Sequence, residues 1–177
     1  MKDIDELIVR LGENGFPIAN YLEKALKSIK IEDFIKLGHD DFFQDNPVEF
    51  MKTSKGIRKN ISAPHMLAIL LHHLEIKKGQ KILLVGSKGG YLAAILDQIL
   101  GEEGIVTIIE PHDEILEHTR RTLENYKSRG IIRVLSITDF DFYEDSGKEF
   151  DRVLITGAVR EIPDFLNYNS QEGSFIL

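Results

Sequence analysis

Cysteine is absent from the 177 residues. Disulfides, thiolate metal centres and cysteine nucleophiles are therefore excluded. No apolar run approaches the roughly 18 residues that a membrane span requires. The opening Met-Lys-Asp-Ile-Asp-Glu puts acids where a secretory leader needs a basic and then an apolar stretch. A cytoplasmic location without membrane attachment is the expectation. A basic stripe is missing too, since Lys and Arg number 22 against 29 Asp and Glu, a formal net charge of -7. That balance argues against duplex nucleic acid as a partner, because phosphate neutralisation supplies most sequence-independent affinity. No Ser/Pro-rich linker and no internal repeat divide the chain. What is present, 42% hydrophobic and 29% charged residues, is the composition of one globular domain with a substantial core.

Apolar residues at helical spacing predict helices over 4–11 (Ile4, Leu7, Ile8, Leu11) and 17–29 (Ile18, Leu22, Ala25, Leu26, Ile29). Pro17 is placed to open the second. Residues 38–60 keep no period and read as an irregular segment draped on the domain. Residues 1–60 thus form a helical and irregular preface to an α/β unit over 61–177. In that unit Ser62 is a candidate N-cap and Pro64 a first-turn proline, followed by an apolar stripe of Met66, Ile69, Leu70 and Leu74. Strands are predicted at 81–85, 105–109, 131–137 and 152–156, and a last one from Phe175. Helices are predicted at 90–100 and 113–127, with a short one at Ile162-Pro163. Such alternation implies a Rossmann-like, doubly wound, mostly parallel sheet with right-handed crossovers.

Candidate chemistry gathers at the strand ends. Ile82-Leu-Leu-Val runs into Gly86-Ser87-Lys88-Gly89-Gly90, and Thr107-Ile-Ile ends in Glu110, 20 residues beyond Gly90. A glycine turn that opens a helix lets a ligand approach the backbone, and an acid at that offset can hold ribose hydroxyls. An ordinary strand–helix turn would carry the same glycines, and a solvated acid or a cap for the next helix the same glutamate. The Walker spacing is absent. Asp139 ends the third strand and is either a ligand-side acid or a turn residue. Ser62 and His65 lie close in sequence, as a reactive pair or simply as a cap and a first-turn histidine. His72 and His73 are consecutive on a helix and so point apart, which is poor metal-ligand geometry.

These residues resemble the protein-L-isoaspartate (D-aspartate) O-methyltransferase family over nearly the whole chain. Ile61-Ser62-Ala-Pro-His65-Met66 is similar to its most specific signature. Phe42-Phe-Gln-Asp45-Asn-Pro47 looks like its Tyr-x-Asp-x-Pro segment. Phe150-Asp-Arg-Val-Leu-Ile-Thr156, Ile162-Pro163 and Gln171-Glu-Gly173 continue the register. The resemblance implies a class I fold that takes S-adenosyl-L-methionine and methylates the free α-carboxylate of isoaspartyl residues in damaged proteins. It implies Ser62 as the active-site hydroxyl, His65 beside the cofactor, and Gly86, Ser87, Lys88, Gly89 and Gly90 as the cofactor loop. Glu110 would hold the ribose and Asp139 the adenine side.

Several positions depart from the family pattern. Leu84 stands at the usual acid and Lys88 at the middle glycine of acid-x-Gly-x-Gly-x-Gly; Asn60 replaces Thr, and Phe140 replaces a glycine. One unfavourable unit charge about 5 Å from the cofactor's sulfonium is worth roughly 3 kcal/mol at an effective dielectric near 20. The alternative reading is accordingly a catalytically impaired relative that acts as a binding module. The chain also stops in its fifth core strand, so a shortened relative or a truncated piece is expected, with the last sheet edge a candidate for homo-oligomer contact.

Overall fold

Asp3 starts the first helix in the computed structural model, which describes residues 3–139, 150–157 and 161 and the backbone of 170–176. Its carboxylate accepts from the Glu6 N–H at 3.0 Å, satisfying one of the donors left open at a helix start. Helix α1 (Ile4–Glu13) buries Leu7, Ile8 and Leu11, and α2 (Asn20–Ser28) buries Leu22, Ala25 and Leu26. Both stripes are those the spacing predicts. Pro17 does not open α2; the helix begins three residues later, behind an extended Ala19.

The segment read as irregular contains real structure. A short helix α3 (His39–Phe43) leads into an antiparallel hairpin of β1 (Val48–Lys52) and β2 (Arg58–Ile61). Glu49 pairs with Asn60 and Met51 with Lys59, so Phe50 is an extra residue at a β-bulge. The bulge breaks the two-residue alternation on which a strand reading depends, and β2 is only four residues long. Helix α4 (Pro64–His73) follows. Ala63, not Ser62, takes the cap position, no side chain caps it, and Pro64 occupies a first-turn position that needs no N–H. Its inward face is Leu67, Ala68 and Leu71, with Leu74 buried just beyond the helix, whereas Met66 is 42% exposed. The helix is apolar around most of its circumference, and the sequence therefore offers more than one stripe.

The main sheet comprises β3 (Lys81–Val85), β4 (Ile105–Glu110), β5 (Ile131–Ser136), β6 (Phe150–Ile155) and β7 (Ser170–Ile176), in the order β5-β4-β3-β6-β7. Every pairing is parallel, as the alternating pattern implies. Both faces are covered. Ile82, Leu84, Val106, Ile108 and Leu154 pack into the large core with the helices, while Leu83, Ile109, Phe150 and Val153 form the smaller core behind. Helices α5 (Tyr91–Leu100) and α6 (Asp113–Glu124) follow β3 and β4. Asp97 of α5, 2% exposed, accepts from the Gly130 and Arg129 N–H groups and the Tyr126 hydroxyl, each at 2.8 Å. That knot fixes the turn into β5. Among the described residues no helix is long and apolar enough to cross a membrane. Phe140 and the predicted helix at 162–163 lie outside the described residues, as do the side chains of 171–173.

Candidate functional site

The chain runs from β3 outward to β4 and β5 and then crosses back to β6 on the other side of β3, and this reversal of strand order opens a crevice at the carboxyl end of the sheet. Register places Val85 opposite both Ile109 and Ile155. Gly86 is the next residue, with φ of +89°, and a Cβ there would run into the Thr156 hydroxyl. Only glycine adopts that backbone cheaply and leaves that space. The Thr156 N–H donates to the Val85 carbonyl at 2.9 Å, so β6 fastens the start of the loop. Gly89 has φ of +69°, and an added Cβ would lie 2.8 Å from the Phe50 ring. The hairpin bulge thus lays an aromatic ring directly on the loop.

Glu110 is 3% exposed, and its partners are specific. One carboxylate oxygen accepts from the Ser87 N–H at 2.9 Å and the Ser87 hydroxyl at 3.0 Å; the other accepts from the His112 N–H at 3.1 Å. The Thr119 hydroxyl donates to Ser87 Oγ at 2.7 Å, so α6 joins the network. A carboxylate offers about four acceptor sites, and three are taken here. One remains for a ligand hydroxyl. Glu110 is therefore a strut of the loop first and a ligand contact second.

A cleft of about 280 Å³ opens above these residues. Val85, Gly86, Ser87 and Lys88 form one wall and Glu110, Pro111, His112 and Ile115 another. Ile155, Thr156 and Gly157 close the β6 side, and Phe50, Lys59 and Asn60 come from the hairpin. The volume lies at the lower end of small-ligand sites, and the mix of apolar walls with a few fixed polar groups is typical of them. A nucleoside suits it: Pro111, Ile115 and Ile155 offer apolar surface, and Glu110 retains one acceptor. Lys88 is half-buried in the left-handed region (φ 47°), and its ammonium makes no hydrogen bond or ion pair among the described residues. Burial, and then the neighbouring Lys59 ammonium, hold its amine below the usual lysine range, while Glu110 pulls weakly the other way. A larger concavity of about 970 Å³ lies across the hairpin and shares Phe50 and Asn60. It is lined by Lys36, His118 and Arg121 and reaches neither the loop nor Glu110, so the smaller cleft is the candidate site.

The expected residues divide by position. Gly86, Ser87, Lys88 and Glu110 line the cleft; Gly89 and Gly90 shape its loop from behind, both buried. Ser62, His65 and Asp139 do not line it. Ser62 is half-buried just beyond β2, two residues from Asn60. Asp139 is exposed past the end of β5, where its N–H donates to Ser136 Oγ at 3.0 Å. His65 stacks on Phe16 at 5.2 Å and is held twice by Asp45, through its N–H at 2.8 Å and Nδ1 at 2.9 Å. Sequence spacing gave no sign of that Asp45–His65 pair, since 20 residues and a hairpin separate its members. Leu84 is fully buried among the core residues, away from the cleft lining. An acid there would sit in apolar surroundings, so its loss bears less on ligand charge than the motif comparison implies. Phe50, Lys59 and Thr156 are site residues that the sequence reading did not single out. The one available signal was an isolated aromatic in a segment without period.

Comparison with known proteins agrees with this geometry. The family description protein-L-isoaspartate(D-aspartate) O-methyltransferase (PCMT) matches residues 2–177. A protein-L-isoaspartate O-methyltransferase of Methanococcus maripaludis is 28% identical across all of this chain and 81% of its own length. A solved protein-L-isoaspartate O-methyltransferase superposes with a TM-score of 0.83 at 21% identity, covering 98% of this chain and 54% of that one. A Plasmodium falciparum beta-aspartate methyltransferase, solved in complex with S-adenosyl-L-homocysteine, gives 0.79 at 20% identity over 99% of this chain and 83% of its own. Matched by that family's description over residues 2–177, the chain belongs to the protein-L-isoaspartate(D-aspartate) O-methyltransferase family.

Proposed function

We propose that the chain is an S-adenosylmethionine-dependent methyltransferase acting on the free carboxylate of isoaspartyl residues in damaged proteins. The observation that carries the reading is a nucleoside-sized cleft at the reversal point of a parallel sheet, with a buried glutamate pinned to the glycine loop. When bound, the cofactor would supply a methyl group on a positively charged sulfur, which would leave with the carbon–sulfur electron pair as the acceptor carboxylate oxygen took the carbon. No proton moves, and both charges disappear together. The protein's task is therefore alignment and exclusion of water rather than proton transfer. Glu110 holds the loop and offers its remaining acceptor site to a ribose hydroxyl. Gly86 keeps the backbone within reach of the ligand, and Gly89 makes room for the Phe50 ring that covers the loop. On the same reading Ser62, next to the hairpin rim, is the acceptor-side hydroxyl, and His65, held by Asp45, and Asp139 are cofactor-side residues.

Calorimetric titration with S-adenosylhomocysteine, together with methyl transfer to an isoaspartyl peptide against its aspartyl counterpart, tests this. Binding and isoaspartyl-selective transfer are expected. Absence of both would remove the reading, and binding without transfer would assign the acceptor elsewhere. A cytoplasmic location belongs to the same proposal, as does the partition into a preface over 1–60 and a methyltransferase domain over 61–177. So does association of two copies along β7, an outer strand of the sheet. Sedimentation at several concentrations checks the last point.

A further inference from the structure

The larger concavity gathers charge that the sequence scatters. In a chain of formal net charge -7, its lining holds Lys36, Lys52, Arg58 and Arg121 against two acids, Asp41 and Glu49. Glu49 is spent on Arg58, at 3.3 Å. Arg121 has a loose partner on its own helix, Glu117 at 3.9 Å, and Lys36 and Lys52 make no ion pair among the described residues. Between these cations lies His118, whose ring packs on Phe50 at 5.3 Å and whose buried Nε2 has no partner among the described residues. Met51 adds apolar lining, and Leu37 is 82% exposed. At about 970 Å³ the groove has room for a stretch of polypeptide rather than a single ion. Phe50 and Asn60 line both this groove and the smaller cleft, so one hairpin separates the two. We propose that the groove docks an acidic, extended stretch of the protein substrate while the cleft across the hairpin acts on its isoaspartyl residue. The inference rests on the proposed function and names the kind of substrate it prefers.

An acidic polypeptide is repelled by the net charge of this chain, and the groove reverses that field locally. Phosphates would feel the same attraction, but single-stranded nucleic acid also needs aromatic faces on which its bases stack. Phe50 is the one Phe, Tyr or Trp in the lining, and it is 8% exposed. Extended polypeptide needs no such platform, and Leu37 and Met51 give its apolar side chains a surface. A carboxylate about 5 Å from one ammonium gains roughly fourfold in affinity even in bulk water. Exposed pairs lose part of that to screening and to the ordering of long side chains, so Lys36, Lys52 and Arg121 together are expected to contribute about tenfold.

Methyl-transfer kinetics of the whole chain with two isoaspartyl peptides decide. Both share the isoaspartyl residue and its neighbours. One carries three glutamates about four to eight residues away, roughly 13–28 Å along an extended chain, and the other three glutamines. At about 0.1 M salt the glutamate peptide should show a KM about tenfold lower with kcat unchanged, and at about 1 M salt the two should converge. The triple variant Lys36→Gln, Lys52→Gln, Arg121→Gln should lose the preference and keep wild-type kinetics on the glutamine peptide. His118 reports the location: burial, then Arg121 and Lys36, hold its titration low, and a saturating glutamate peptide without isoaspartate should raise it in NMR spectra. Equal KM values in the wild type would overturn the docking groove and leave the methyltransferase reading intact. A preference that survives in the triple variant, or a His118 that does not respond, would overturn it as well, by placing acid recognition elsewhere. Displacement of the glutamate peptide by oligouridylate of equal charge at lower concentration would give the groove to nucleic acid and overturn the polypeptide assignment. If neither peptide is methylated, the proposed function itself fails and this inference falls with it. Should the triple variant misfold, the peptide pair, its salt dependence and the His118 response in the wild type supply the decision.

Discussion

Replacing Glu110 with glutamine separates a carboxylate that merely faces a ligand from one that holds the site together. The substitution is nearly isosteric and changes the hydrogen-bond count in a defined way. In the wild type one oxygen receives the Ser87 N–H and hydroxyl and the other receives the His112 N–H. An amide has one oxygen and one donor nitrogen. With its oxygen toward Ser87, the nitrogen meets the His112 N–H, donor against donor; reversed, it meets two donors. At best one charge-assisted bond is lost and a buried N–H is left opposed. Hydrogen bonds to charged groups contribute about 1.5–3 kcal/mol each, and Glu110 is almost fully buried, so a loss of roughly 2–4 kcal/mol is expected. For a chain of this size that lowers the melting temperature by roughly 5–15 °C. Differential scanning calorimetry or urea unfolding measures it without any ligand. Combining it with Ser87→Ala should give much less than the sum of the separate losses, because both changes remove the same bonds. A melting temperature lowered by under about 2 °C would falsify the strut, and would return Glu110 to the role of a free ligand-facing acid.

Gly89→Ala should destabilise by about 2–4 kcal/mol, since it adds left-handed strain to a methyl lodged 2.8 Å from the Phe50 ring, and Phe50→Leu in the same chain should recover part of the loss; urea titration of the pair decides. Asp45→Ala should lower stability by roughly 1–3 kcal/mol and release the His65 ring, visible as a change in its nitrogen NMR shifts, because the Nδ1 contact that orients the ring and the bond from the His65 backbone N–H both disappear. Tyr91→Phe should leave stability unchanged or raise it by about 1 kcal/mol in thermal melts, as the buried hydroxyl has no partner among the described residues. Burial, with Arg121 and Lys36 beside it, holds His118 below the usual histidine value. The unfolded chain then takes up this proton first as pH falls, so stability drops from about pH 7 downward until the folded form also titrates. His118→Gln should flatten that part of the melting-temperature profile; an unchanged profile would show that the shift is absent.

The strands and most helices are legible in the sequence because their patterns are local. Leu83 and Leu84 need opposite faces of one buried sheet, and a continuous apolar run supplies them. Leu7 and Leu11, or Leu22 and Leu26, mark helical faces by spacing alone. The strand-end glycines and Glu110 were likewise visible, since turn and acid follow their strands at fixed distances. Local pattern fails where long-range contacts choose among local options. The bulge at Phe50 destroys the alternation that would have announced the hairpin, and only the Gly89 surface explains where its ring lies. Helix α4 carries two plausible apolar stripes, and the large core takes in the one without Met66. Asp45 meets His65 only after the chain has turned back on itself.

What the sequence by itself determined is the parallel architecture, the loop and its acid, because each depends on periodicity or on neighbours within a few residues. Tertiary structure alone decided that the acid is consumed largely in holding the loop, that Leu84 belongs to the core, and that Lys59 joins Lys88 at one opening. Those outcomes depend on distances between segments far apart in the chain, and a side chain's free acceptor sites or unpaired charge can be counted only once its neighbours are in place.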